Sequence, residues 1–135
     1  MTTKQWLSRA RYCDREITVL QKAKDREQQR LLSITASLDG DTVTTSKDPH
    51  KFDRYVELTA MLDAKIDELY NVKQEVERTV DEVQDPRYRQ LLRLRYVSVM
   101  TWEEIAVLMS YSFRQVCRMH GAALIAVDLI RHKMA

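Results

Sequence analysis

Between Thr101 and Gln115 the chain carries two helix-start signals in tandem, and few folds accommodate both. Thr101 followed by Glu104, and Ser112 followed by Gln115, each have the form of a capping box. In such a box the hydroxyl accepts a hydrogen bond from the amide three residues on. The longer side chain reaches back to the amide of the capping residue. A first helix must therefore begin at Trp102 and finish before Ser112, and a second must follow at once. That spacing leaves room only for two helices joined by a tight turn, a helix–turn–helix. In DNA-binding versions of this motif the second helix enters the major groove.

The rest of the composition suits a helical chain. Of 135 residues, 31% are charged and 44% apolar, with only two Gly and two Pro. This is the profile of a folded helical protein and not of a disordered one. No apolar run approaches the roughly 18 residues of a membrane span. The opening MTTKQWLSRARY has no stretch resembling a secretory signal. Cys13 and Cys117 lie far apart without metal-ligand spacing, so two reduced thiols in a cytoplasmic protein are expected. There is no phosphate loop, nucleophile motif or metal cluster, so neither an enzyme nor a bound cofactor is expected. Charge is unevenly distributed. Residues 1–84 hold 14 Lys and Arg against 16 Asp and Glu, whereas residues 85–135 hold 8 against 4. The C-terminal part is the one suited to a polyanion, but only modestly.

Upstream, Thr3 is a candidate N-cap for a helix reaching about residue 37. Leu7, Ala10, Cys13, Ile17 and Leu20 form its apolar stripe. Lys24 and Glu27 interrupt that stripe before Leu31, Ile34 and Leu38 resume it. The interruption fits either a solvated segment or a register-setting contact. Asp39 to Lys47 reads as a linker. Asp39 and Asp41 invite a cation site, but the loop lacks the later ligands of an EF-hand and reads as surface. Asp48-Pro49 then starts a second helix, expected to run to about Gln84. Its stripe is Tyr55, Leu58, Leu62, Ile66 or Lys65, Leu69, Val72, Val76, Val80 and Val83. Two long striped helices joined by one linker predict an antiparallel helical hairpin over residues 1–84. One seam leaves further apolar surface for another helix or a second subunit.

Asp85-Pro86 opens a third helix that should bury Tyr88, Leu91, Leu92 and Tyr96 or Val97. Its other face carries Arg87, Arg89, Arg93 and Arg95. These fit a solvated face paired with the acidic second helix as well as they fit DNA contacts. Ser98 to Met100 is a connection. The fourth helix, Trp102–Met109, should bury Ile105, Ala106 and Leu108, with Trp102 as an anchor. The fifth, after Ser112, should bury Val116, Met119, Ala123, Leu124 and Val127. His120 and Gly121 read as a packed turn of it, His50 and His132 as surface residues, and the basic tail LIRHKMA as a fraying end. The expectation is an all-α chain: the hairpin, then a helix–turn–helix domain over residues 85–135.

These residues also carry a resemblance. The stretch RYRQLLRLRYVSVMTWEEIAVLMSYSFRQVCRMHGAAL resembles region four of bacterial sigma factors, the helix–turn–helix that reads promoter DNA. The whole chain is similar to a phage- and prophage-encoded family of sigma-region-four-like proteins without an assigned function. The signs are Trp6-Leu7 in a long first helix, a Ser/Thr-rich loop before Asp48-Pro49, and Asp85-Pro86-Arg87-Tyr88-Arg89. Thr101-Trp102-Glu103-Glu104-Ile105-Ala106, Tyr111-Ser112, Arg118, His120-Gly121 and Ala123-Leu124 complete the pattern.

The resemblance implies a late-gene or autolysin-type transcription regulator in a bacterial host, with double-stranded DNA as partner. It places Phe113, Arg114, Gln115, Cys117 and Arg118 at the bases, with Ser112 on a phosphate and Arg93 and Arg95 on the backbone. Chemically, Arg114 and Arg118 suit guanine, Gln115 adenine, and Phe113 a thymine methyl, while Ser112 and the free amides of a helix start suit phosphate. Phe113 and Cys117 depart from the polar residues of sigma factors. The core-binding regions of a complete sigma factor are missing, so the chain is not expected to start transcription alone. A homo-oligomer, a dimer first, or host RNA polymerase would supply the rest. The alternatives are a small-terminase-like packaging subunit and a polymerase-binding module without DNA binding.

Overall fold

A computed structural model describes residues 1–38 and 50–134, with side chains at 34–38 and 134 left aside. The chain is all-α. Its helices are α1 (Thr3–Leu38), α2 (Lys51–Asp81), α3 (Pro86–Leu92), α4 (Trp102–Met109) and α5 (Phe113–Met134). A π-helical turn over Arg93–Val97 extends α3, where the sequence predicts one unbroken helix. The linker, the Asp48-Pro49 start and the Ile34 and Leu38 side chains lie outside the described residues. Two compact units divide the chain: Met1–Arg15 with Tyr70–Ala135, and Glu16–Leu69. This division differs from the one at residues 84 and 85 expected from sequence.

In the first unit, α1 starts at Thr3, the residue expected to cap it. Thr2 is the capping residue: its hydroxyl accepts from the Gln5 amide at 3.1 Å, and its amide donates to Gln5 Oε1 at 2.9 Å. This third capping box releases Thr3, whose hydroxyl donates to Asp128 on α5 at 2.7 Å. Leu7 and Ala10 then pack with Val76, Val80 and Val83 of α2, Leu92 and Tyr96, and Ala123 and Val127 of α5. Trp6, absent from the expected stripe, joins them because the guanidinium groups of Arg9 and Arg131 cover its ring. Arg131 also donates to Thr3, so α5 continues through the basic tail to Met134 instead of fraying.

Arg9 pairs with Glu75, and Lys73 with Asp14, at 3.1 and 2.8 Å. Ascending positions on α1 meet descending ones on α2, so these segments run antiparallel. The helix α2 ends at Asp81 and not near Gln84, because its last amides bond three residues back, Glu82 to Thr79 and Val83 to Val80. The tightened turn feeds the extended Asp85 that Pro86 requires. Thr79 is buried with its hydroxyl donating to the Glu75 carbonyl, a pattern that leaves no unpaired polar atom.

In the second unit only Ile17 and Ile66 are buried among the described residues. Ile66, not Lys65, continues the α2 stripe, and Leu58 is exposed because a two-helix seam cannot cover every stripe position. Lys24 bonds Asp63 at 2.7 Å, and the neighbouring carboxylate holds its ammonium above the usual lysine range. The polar interruption of α1 is therefore an interhelical contact that favours one register. Val19, Leu32, Phe52, Val56 and Met61 stay exposed.

Candidate nucleic-acid interface

The candidate surface is built on α3, α4 and α5. Asp85 caps α3 by accepting from the Arg87 amide at 2.9 Å, with Pro86 at the first helical position. After Leu92 the backbone widens into the π-turn, where the Ser98 amide reaches the Arg93 carbonyl. Val99 then takes a φ of 59°, a conformation that strains a β-branched residue. Thr101 caps α4, accepting from the Glu104 amide at 3.2 Å. Its reciprocal partner differs from expectation: the Thr101 hydroxyl, not its amide, donates to the Glu104 carboxylate.

The helix α4 ends with Ser110 in the left-handed region at φ 58°. The Tyr111 amide bonds the Ala106 carbonyl and the Ser110 amide bonds that of Val107, a Schellman closure in which serine stands where glycine is favoured. Ser112 then opens α5 with a complete box. Its hydroxyl accepts from the Gln115 amide at 3.1 Å, and its amide donates to Gln115 Oε1 at 2.9 Å.

Leu91, Ile105 and Val116 form a small core beneath this turn, flanked by Met100, Trp102, Ala106, Met109, Tyr111 and Met119. Leu108, expected inside, is 57% exposed. Residues 102, 105, 106 and 109 share the inward face at 3.6 residues per turn, so Met109 takes the place expected for Leu108. Each such buried aliphatic side chain contributes about 1.5–3 kcal/mol, enough to hold a short α4 that would not form alone.

Every α5 residue expected at the bases points outward. Phe113 is 53% exposed, and Arg114, Gln115, Cys117 and Arg118 are exposed. Arg114 and Arg118 have no ion pair or hydrogen bond to a carboxylate or carbonyl among the described residues. Gln115 is partly committed, since its side-chain oxygen serves the cap. The four arginines of the third-helix stretch are engaged. Arg87 pairs with Asp85, and hydrogen bonds from its side chain and amide hold that carboxyl below the usual carboxylate range. Arg89 donates to the Val83 carbonyl at 3.0 Å and Arg93 pairs with Asp81.

Arg95 donates to the Met100 carbonyl and lies over the Trp102 ring at 4.3 Å. Burial, then the nearby Arg11, lowers its pKa. Trp102 meets His120 edge-on at 4.6 Å, and His120 Nε2 shares a 2.7 Å hydrogen bond with the Tyr96 hydroxyl. Burial pushes the Tyr96 phenol up to about 12. Burial, aided by Lys4 and Arg95, pushes His120 down to about 4. The ring is thus neutral, and with its own proton on Nδ1 its Nε2 accepts a hydrogen bond from the phenol. Sequence reading missed this cluster because its members are brought together only by the packing of three elements. Gly121, expected in a packed turn, is exposed, and a Cβ there would meet nothing within 4 Å. Both cysteines are free, Cys13 buried and Cys117 exposed.

Among the described residues no group of His, Cys, Asp and Glu is arranged to hold a metal ion. No helix is long and apolar enough to cross a membrane. No curated protein and no solved structure matches the chain. The model of a family described as Protein of unknown function (DUF1492) matches residues 31–127, which is most of the chain, and the chain belongs to that family.

Proposed function

We propose that this chain is a phage- or prophage-encoded transcription regulator that lays the first two turns of α5 in the major groove of duplex DNA, as sigma region four does. The observation that carries the reading is the state of the arginines. Arg114 and Arg118 stand outward, one turn apart, on a helix whose start is fixed by a complete capping box, and neither is spent on the fold. Guanidinium groups so placed match the paired acceptors of guanine, while Phe113 and Cys117 offer apolar contact to thymine methyls. Ser112 at the helix start suits a phosphate. The charge of one copy is modest, so a homodimer presenting two α5 helices to two half-sites would supply the missing affinity.

Selection from a pool of random duplexes tests this. The full chain should enrich one motif, and Arg114→Ala with Arg118→Ala should lose it while still folding. Absence of enrichment, or binding that ignores salt, sinks the reading.

A second partner is favoured by α4. Val107 is 81% exposed beside exposed Leu108, Glu103 and Glu104. An acidic, apolar face repels phosphates and suits a protein such as host RNA polymerase. Retention of polymerase by the wild type, and its loss with Val107→Glu, is the expected result.

A further inference from the structure

We infer that Lys4 and Arg11 of α1, together with Arg95, form a second phosphate-binding surface that grips the DNA backbone beside the first residue of α4. The inference rests on the reading of α5 as a DNA-binding helix and extends it to a part of the chain with no place in a helix–turn–helix.

The geometry begins with α1. Its first turns are fastened to α5 by Thr3 and Asp128 and by the packing of Trp6, Leu7 and Ala10. Lys4 and Arg11 are seven residues apart, about two turns, and so share one face. On another face, Arg9 is neutralised by Glu75, and Asp14 receives Lys73. The face of Lys4 and Arg11 has no such relief. Neither residue pairs with a carboxylate among the described residues, whereas the buried Nε atoms of Arg9 and Arg11 both lack a hydrogen-bond partner there.

Arg95 is held by a carbonyl and an aromatic ring, which orient its charge without cancelling it. Leu7, on the same face of α1 as Lys4 and Arg11, packs in one core with Tyr96, the chain neighbour of Arg95. After burial, Arg11 disfavours the charge on Arg95, and Lys4 and Arg95 disfavour protonation of His120. The acid acting on Arg95 is Glu103 of α4. Like charges gathered around one ring cluster oppose folding unless an anion relieves them. Trp102, on which Arg95 lies, is the first residue of α4. The cluster therefore lies at the start of the helix that leads through the Ser110 turn into α5.

Titration of the full chain with a random-sequence duplex of about 30 base pairs, over a range of salt, tests this. Each phosphate contact contributes about 0.9 to the slope of log affinity against log salt. Lys4→Ala with Arg11→Gln should lower the slope by about 1.8, and Lys4→Ala alone by about half of that. Affinity measured between about 50 and 200 mM salt should then span a range about tenfold narrower than in the wild type. Lys4→Arg with Arg11→Lys should keep the wild-type slope. An unchanged slope in the neutral variants, or equal loss in the charge-keeping one, overturns the inference and leaves α5 as the reader. A wild type that binds no duplex overturns the reading of α5 and this inference with it.

Discussion

Arginine is used in two ways within about thirty residues of this chain, and the contrast separates the scaffold from the proposed reading surface. Between Arg87 and Arg95 each guanidinium is engaged by Asp85, the Val83 carbonyl, Asp81, or the Met100 carbonyl with the Trp102 ring. On α5, Arg114 and Arg118 have no such neighbour among the described residues. The difference does not come from the residue. It comes from what precedes it: the end of α2 and the Asp-Pro start offer carboxylates and open carbonyls, whereas the start of α5 is closed by Ser112 and Gln115. A helix that satisfies its own first amides leaves its arginines available for an outside partner.

The contrast is most strongly tested by removing both outward arginines. Arg114→Ala with Arg118→Ala should erase about 2–6 kcal/mol of discrimination between preferred and random duplexes, at about 1–3 kcal/mol for each bidentate pair. Stability in denaturant should stay within about 0.5 kcal/mol of the wild type, as exposed positions predict. If stability falls instead, these arginines belong to the fold and the contrast collapses.

The opposite pattern is expected at Arg89. Its hydrogen bond to the Val83 carbonyl closes the end of α2, and a bond from a charged donor contributes about 1.5–3 kcal/mol. Arg89→Ala should lower the unfolding free energy by about 1.5 kcal/mol and leave the salt slope of DNA binding unchanged. A slope that falls by about one would move Arg89 to the DNA side.

A third test needs no substitution at an arginine. His120 is neutral in the fold, its pKa lowered from 6.5 to about 4 chiefly by burial, then by Lys4 and Arg95. The unfolded chain therefore binds a proton that the folded chain refuses. Stability from this group is complete above about pH 6.5 and drains away as pH falls towards 4. Unfolding midpoints across that window should drop in the wild type and drop less in His120→Gln. Equal acid limbs would mean that the ring is not held neutral.

How much of this was legible beforehand depends on how local the cause is. The starts of α4 and α5 were readable because Thr101, Glu104, Ser112 and Gln115 act within a single turn. The start of α1 was misplaced by one residue because Thr2 and Thr3 look alike, and only the position of Asp128 draws Thr3 away from capping. Leu108 and Met109 are adjacent apolar residues on a helix of eight, and periodicity alone does not say which one faces inward. The π-turn and the Tyr96–His120–Trp102 cluster left no local trace, since they depend on three elements meeting. The outward positions of Phe113, Arg114, Gln115, Cys117 and Arg118 were legible because Val116 fixes the inward direction of α5.

Arg93 is where the two classes of arginine come closest. Sequence left it between a solvated face paired with α2 and a contact to DNA, and its guanidinium lies on Asp81. Both partners are about half exposed, with side-chain exposures of 45% and 52%, and such pairs contribute only about 0–1 kcal/mol. The pairing alone would therefore not prevent exchange of Asp81 for a phosphate. Direction argues against that exchange. Leu91 faces the small core under α4 and α5, and a residue two positions further along a helix points about 200° away. Arg93→Ala should change stability by at most about 0.5 kcal/mol and leave DNA binding as it is. Asp81→Asn sharpens the point, since it frees the guanidinium without moving it. If affinity for duplex DNA then rises at low salt, Arg93 lies within reach of the backbone and belongs with Arg114 and Arg118. If affinity is unchanged, Arg93 stays with the scaffold and apart from the outward arginines of α5.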